Sequence, residues 1–248
     1  MPLPTRPYSL PRIPPERMLK NAREFHKYVA RRRTCRAFSD RPVPGELIEA
    51  CVASANTAPS GANSQPWRFV AIDDPAIKRE IRIAAEKEDE LDQNGRMPAG
   101  WRSTMKYVGA GPGKPVLESA PWLVAVFRLN WQKSNGRRIK TFFPIESTGL
   151  ACGFFLTACH MAGLATMVHA PNPSRFLGQI LNRPRNESPF LLIPVGYPAA
   201  DCRVPDIAKK PLADVLTWNR PAQARTRRRS NSGDEQPEGL ELPQRTKP

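Results

Sequence analysis

The stretch from Glu146 to Ala162 is apolar almost all the way round a helical wheel, and no other feature constrains the fold as strongly. A helix with one apolar stripe lies on a core and turns its other face to water; a helix apolar on all sides has no face to spare for water. Glu146 to Ala162 is therefore expected to be buried on every side. Helices of that kind commonly lie at subunit interfaces, so the pattern points to a homodimer. The longer apolar run, Gly149 to Val168, approaches the length of a membrane span. His160, the glycine and threonine interruptions and the break at Gly163 read instead as a buried helix followed by a strand, and no membrane association is expected.

Helices and strands alternate along the rest of the chain. Pro14 and Pro15 can open a helix in which Met18, Leu19, Ala22, Phe25 and Val29 recur at spacings of three and four, which predicts one buried stripe. A second helix starts at Pro44, turns Leu47, Ile48, Cys51, Val52 and Ala55 inward, and ends just before a Pro-Ser-Gly turn. That turn feeds a strand over Trp67 to Ile72. Asp73, Asp74 and Pro75 then start a helix from Ala76 to about Glu90. Asp92 to Gly113, rich in glycine and polar residues, reads as a loop or mobile lid. Further strands are expected at Trp122 to Leu129, Leu164 to Val168 and Phe190 to Val195, the last fully buried. No repeat or linker interrupts this order, which gives one α+β unit over 14–218 between an extended segment at 1–13 and a disordered basic tail at 219–248.

The 248 residues, 40% of them hydrophobic, suffice for one main domain with a full core, and the 28 prolines concentrate toward the two ends. A formal net charge of +15 invites a nucleic-acid reading. The excess sits in the tail and in Arg31 to Arg33, with no helix-turn-helix, zinc-finger or RNP-type pattern beside it, so no nucleic-acid partner is expected. Cys35, Cys51, Cys152, Cys159 and Cys202 are odd in number and show no CxxC pairing, which speaks for a reducing, cytoplasmic compartment. The three histidines are too scattered to join them in a zinc site, and no metal is expected.

Two short blocks carry the chemistry. Arg32, Arg33, Thr34, Cys35 and Arg36 cluster guanidinium and hydroxyl donors suited to a phosphate monoester. Ala58 to Trp67, with Pro59, Ser60 and Gly61 at its turn, lets something flat approach the backbone. Together they suggest a flavin nucleotide, although an arginine cluster at a helix end is also an ordinary partner for the helix dipole. Trp67 reads as core.

The order of these blocks, followed by the acidic helix at Glu86 to Glu90, Glu118 to Pro121, Pro194 to Pro198, and Val204 to Pro211, resembles the FMN-dependent nitroreductase superfamily and within it the iodotyrosine deiodinase-like branch. The resemblance implies a central mixed or antiparallel sheet flanked by helices in a domain-exchanged homodimer, with FMN held between subunits. It implies phosphate contacts from Arg32, Arg33, Thr34 and Arg36, joined by Lys209 where the family has arginine. Pro59, Ser60 and Gly61 would approach the isoalloxazine, Ala62 would lie beside the substrate, and Val168, His169 and Ala170 would run along the other flavin edge.

Departures from that branch bear on the reaction. Where it clamps an amino acid zwitterion with glutamate, tyrosine and lysine, this chain has Asp89, Gln93 and Lys114. The carboxylate is shorter by about 1.5 Å and the tyrosine is gone. Val168 replaces a threonine whose hydroxyl lies near the flavin N5. These changes favour two-electron chemistry: NAD(P)H delivers hydride through FMN to an electron-poor, aromatic small-molecule acceptor, with no residue acting as nucleophile or base. The alternatives are deiodinase-like reductive dehalogenation of halotyrosines, with electrons from NAD(P)H or a separate flavin reductase, and an FMN-binding protein that has lost catalysis.

Overall fold

A computed structural model describes residues 4–92, 100, 103–105, 113–170 and 173–219. Its centre is a four-stranded antiparallel sheet. In chain order the elements are α1 (Pro15–Val29), α2 (Gly45–Ala55), a 3-10 turn (Gly61–Asn63), β1 (Trp67–Ile72), α3 (Pro75–Leu91), α4 (Val116–Ser119), β2 (Trp122–Leu129), β3 (Trp131–Ser134) and β4 (Arg137–Lys140). They continue with α5 (Pro144–Met161), β5 (Ala165–Thr166), α6 (Arg175–Ile180), β6 (Glu187–Gly196) and α7 (Leu212–Val215). The strand order is β1-β2-β6-β5, and β3 and β4 form a separate hairpin.

β2 sorts its side chains by the two-residue period of a strand. Leu123, Ala125 and Phe127 enter a core with Ile81 and Ala85 of α3, Val116 and Leu117 of α4 and Leu177 of α6. Val124 and Val126 enter a second core with Ile48, Cys51 and Ala55 of α2 and Cys152, Phe155 and Cys159 of α5. The sheet is thus covered on both faces. Asp74 caps α3, its Oδ1 accepting from the Ala76 amide at 2.7 Å, with Pro75 in the first turn. Buried Lys78 donates to the Ala120 carbonyl at 2.9 Å and so fastens α3 to the entry of β2.

Four expectations change. The helix at Pro15 forms, but it buries none of its residues, and its apolar stripe lies open at Met18, Leu19 and Phe25. α5 is not buried on every side: Ala151, Cys152, Phe155 and Cys159 face the core while Leu150, Phe154 and Met161 are exposed. The strand expected at Leu164 to Val168 keeps only two ladder residues. The chain follows β6 beyond them through Met167 N to Pro194 O and the His169–Leu192 bridge, but Pro194 has no N–H to return and one rung is lost. The expected buried strand extends from Glu187 to Gly196. The expected lid is described only at residues 92, 100, 103–105 and 113, and the basic tail beyond Asn219 lies outside the described residues.

Gly196, at the end of β6, lies under Pro121 and Phe38. A Cβ there would meet Pro121 Cδ at 2.5 Å and Phe38 Cδ1 at 3.0 Å, both on constrained side chains. Gly196→Ala is expected to lower stability by about 1–3 kcal/mol, read from urea unfolding. An unchanged midpoint would contradict this packing.

Candidate functional site

The arginine block forms an extra rung outside β5. The Cys35 amide donates to the Thr166 carbonyl at 3.0 Å, and Thr34 bridges Thr166 in parallel. Two residues away, the Arg33 guanidinium donates to the carbonyls of Pro205 and Ile207, the latter at 3.3 Å. Arg33 therefore holds the C-terminal segment beside the block and brings the exposed Lys209, two residues beyond Ile207, to the same edge. Arg36 is partly buried and has no carboxylate partner among the described residues; burial pulls its guanidinium below the ordinary value. A half-desolvated cation of this kind is stabilised by an anion. Arg32, four residues earlier in the block, is also partly buried.

The same edge continues into residues 167–170. Met167 and His169 turn their amides toward β6, so Val168, between them, turns its N–H the other way. That N–H makes no hydrogen bond among the described residues, and the Val168 side chain is 41% exposed. His169 Nε2 is buried without a hydrogen-bond partner. Burial pulls this imidazole from 6.5 to about 4; the positive charge of Lys114 adds to the shift and Asp89 opposes it. The ring thus lies within electrostatic reach of both. Ala170 is exposed just beyond.

Asp89, on the last turns of α3, forms an ion pair with Lys114 Nζ. Glu86, one turn earlier, accepts from the Lys114 amide at 2.7 Å and also pairs with Arg82, which reaches Glu118 at 2.6 Å. This network fixes where Lys114 leaves the helix pair. Gln93 lies outside the described residues.

Pro59, Ser60, Gly61 and Ala62 are elsewhere. They precede β1, at the sheet edge opposite β5. The contacts of this turn are to Phe142 and Phe143, which a Cβ on Gly61 would strike at 3.0 and 2.9 Å, and to Gln132 and Thr148 through the carbonyls of Ser64 and Pro66. Ser60 Oγ accepts from the Gln65 amide at 2.9 Å. Ala62, Asn63 and Gln65 all have positive φ, near 50°, a strained run of a kind that clusters at functional sites. Trp67 is core, as expected, with Nε1 on Asn56 Oδ1 at 2.9 Å. One chain thus joins Arg32 to Arg36, Val168 to Ala170, Lys209, Asp89 and Lys114, and leaves the Pro-Ser-Gly turn apart.

Sequence reasoning missed three things here: the carbonyl clip by Arg33, the outward N–H of Val168, and the contact of Cys35 Sγ with Cys202 Sγ at 3.3 Å. The first two are backbone matters with no residue signature. The third joins positions 167 apart in the chain.

His169 gives a pH test. Unfolded, a histidine takes up its proton near 6.5, and here it does so only at about 4. Between those values the unfolded state binds more protons. The stability present above pH 6.5 is therefore lost as pH falls through the window, by up to about 3 kcal/mol. In His169→Gln, the slope of stability against pH between 6.5 and 4 should be shallower than in the wild type, measured by urea unfolding at stepped pH. Equal slopes would contradict the burial.

A family model described as the nitroreductase family matches residues 29–197. An iodotyrosine deiodinase from Haliscomenobacter hydrossis is 47% identical over 211 residues, covering 85% of this chain and 95% of its own. One from Nematostella vectensis is 38% identical over 203 residues, covering 81% and 77%. The solved structure of an oxidised iodotyrosine deiodinase bound to FMN and 3-iodo-L-tyrosine is similar, with a TM-score of 0.71 at 26% identity over 80% of this chain and 100% of that one. Among the described residues no helix is long and apolar enough to cross a membrane. With its antiparallel sheet, its flanking helices and these relatives, the chain belongs to the nitroreductase family and is an oxidoreductase of that family.

Proposed function

We propose that this enzyme is an FMN-dependent reductive dehalogenase acting on halotyrosine-like amino acids, with each flavin held between two copies of the chain. The observation that carries the reading is the Asp89–Lys114 ion pair beside His169, on the strand edge that continues from the arginine block. A carboxylate and an ammonium side by side match the two charges of an amino acid zwitterion. The sequence alone favoured hydride transfer to an electron-poor acceptor, but the close relatives support the dehalogenase alternative better.

The residues fit the cofactor. Arg36, Arg32 and Thr34, with Lys209 brought in by the Arg33 clip, form a cationic shelf for a phosphate. Val168 offers an N–H with no hydrogen bond among the described residues where the family resemblance puts the flavin N5. With FMN bound, that N–H would take the place of the missing threonine hydroxyl. FMN, when bound, would supply the electrons, and NAD(P)H or a separate flavin reductase would return it to the reduced state.

The chain's own part is binding and orientation. Lys114 turns to the substrate carboxylate and Asp89 to its ammonium, exchanging one ion pair for two. The strained turn at Pro59 to Ala62 comes from the second copy, because in one chain it lies across the sheet from the arginine block. Exposed Leu150, Phe154 and Phe25 line an apolar groove of about 1050 Å³ between α1, α2 and α5, and a second copy would cover it. The net reaction replaces ring halogen by hydrogen, taking up two electrons and a proton and releasing halide.

The test is iodide release from 3-iodo-L-tyrosine by the dithionite-reduced holoenzyme, read with an iodide electrode. The expected result is stoichiometric iodide. Turnover of nitroaromatics with NADPH and no iodide would overturn the reading. Lys114→Ala should raise KM for the amino acid by about 10- to 100-fold, the weight of a lost charged hydrogen bond, while the visible spectrum of the bound flavin stays unchanged.

A further inference from the structure

Cys35 and Cys202 lie 167 residues apart in sequence, yet their sulfurs are 3.3 Å from each other. Cys35 sits inside the arginine block, with its Sγ also 3.1 Å from the Ala37 carbonyl. Cys202 ends a tight loop that runs along the same strand-like segment. Its amide bonds Ala199 O at 3.0 Å, and the Ala199 amide bonds Ala37 O at 2.9 Å. Three and five residues later come Pro205 and Ile207, the carbonyls that Arg33 holds. A disulfide needs the sulfurs at about 2.05 Å, so a closing movement of little more than 1 Å, about one rotamer adjustment, separates the thiol pair from a bond.

We propose that Cys35 and Cys202 are a reversible disulfide site, and that its formation latches the C-terminal segment onto the arginine block. The oxidant is hydrogen peroxide. Cys202, the more exposed of the two, attacks the peroxide oxygen, becomes a sulfenic acid and releases water. Cys35 Sγ then displaces the hydroxyl from Cys202 Sγ, the S–S bond forms, and a second water carries away the Cys35 proton. Two thiols lose two electrons and two protons, and one peroxide becomes two waters. This order follows the exposures: Cys35 is buried and Cys202 partly exposed, and burial and the bond to Cys202 push the Cys35 thiol up to about 11, which disfavours Cys35 as the first to attack the peroxide. The other three cysteines are buried.

The purified holoenzyme is treated with a small excess of hydrogen peroxide, alkylated, digested without reductant and analysed by mass spectrometry. The expected product is a peptide joining Cys35 to Cys202, lighter by two hydrogens and absent after reduction. Hydrogen exchange of the amides from Arg203 to Ala208 should slow about tenfold in the oxidised form. Cys202→Ser, at a partly exposed position, should abolish both effects while Cys51, Cys152 and Cys159 remain alkylatable only after unfolding. Accumulation of Cys202 as sulfinic acid with Cys35 still a free thiol would overturn the proposal, as would exchange unaltered by oxidation.

Discussion

The pairing of β2 with β6 is the interaction on which the rest depends. Leu123 to Phe127 are fully buried, and so are Leu192, Ile193 and Val195 across the ladder. Burying one large side chain of this kind contributes about 1.5–3 kcal/mol. Because the two faces of β2 feed separate cores, the ladder also holds α3 and α4 on one side and α2 and α5 on the other. The outer edge of β6 then carries β5 and residues 167–169, and β5 carries Thr34 and Cys35. The cationic block is thus two rungs out from the rigid centre, and its position is inherited from the sheet.

A second constraint is the surface that the chain leaves open. α1 exposes Met18, Leu19 and Phe25, and Phe25 lines a groove together with the exposed Leu150, Phe154 and Met161 of α5. Exposed apolar surface of this extent is a mark of an interaction face. The groove and the separation of the Pro-Ser-Gly turn from the arginine block are both accounted for by the proposed dimer, in which a second copy would cover the first and supply the second. The same apolar helix that dominates the sequence then connects packing to chemistry, since its N-terminal neighbours Phe142 and Phe143 brace Gly61.

Much of the architecture was legible in the sequence because it rests on periodicity. β1, β2, α2 and α3 appear where alternation or three-four spacing and their caps place them. Periodicity identifies an apolar face and does not say what covers it, which is why α1 was expected to bury its stripe and α5 to be covered on every side, with a subunit interface as the suggested cover. β6 ran longer than its apolar residues implied, since the polar Glu187 and Ser188 also pair with β2. Lys78, a residue type usually kept at the surface, is buried because two carbonyls at Ala120 and Pro121 receive it. For the site, Arg32 to Arg36 and Ala58 to Trp67 stood out by residue type. Asp89 and Lys114 were visible only through the family resemblance, and geometry alone supplied the Val168 N–H, the Arg33 clip and the Cys35–Cys202 contact.

The central claim is that two copies of this chain complete one flavin site at each end of a shared interface. The most direct measurement is sedimentation of the purified protein monitored in the visible and ultraviolet, which reports mass and bound flavin on the same particle. The account predicts a single dimeric boundary carrying one FMN per chain. A monomeric species that carries FMN at full occupancy, or a dimer without flavin after incubation with excess FMN, would contradict it.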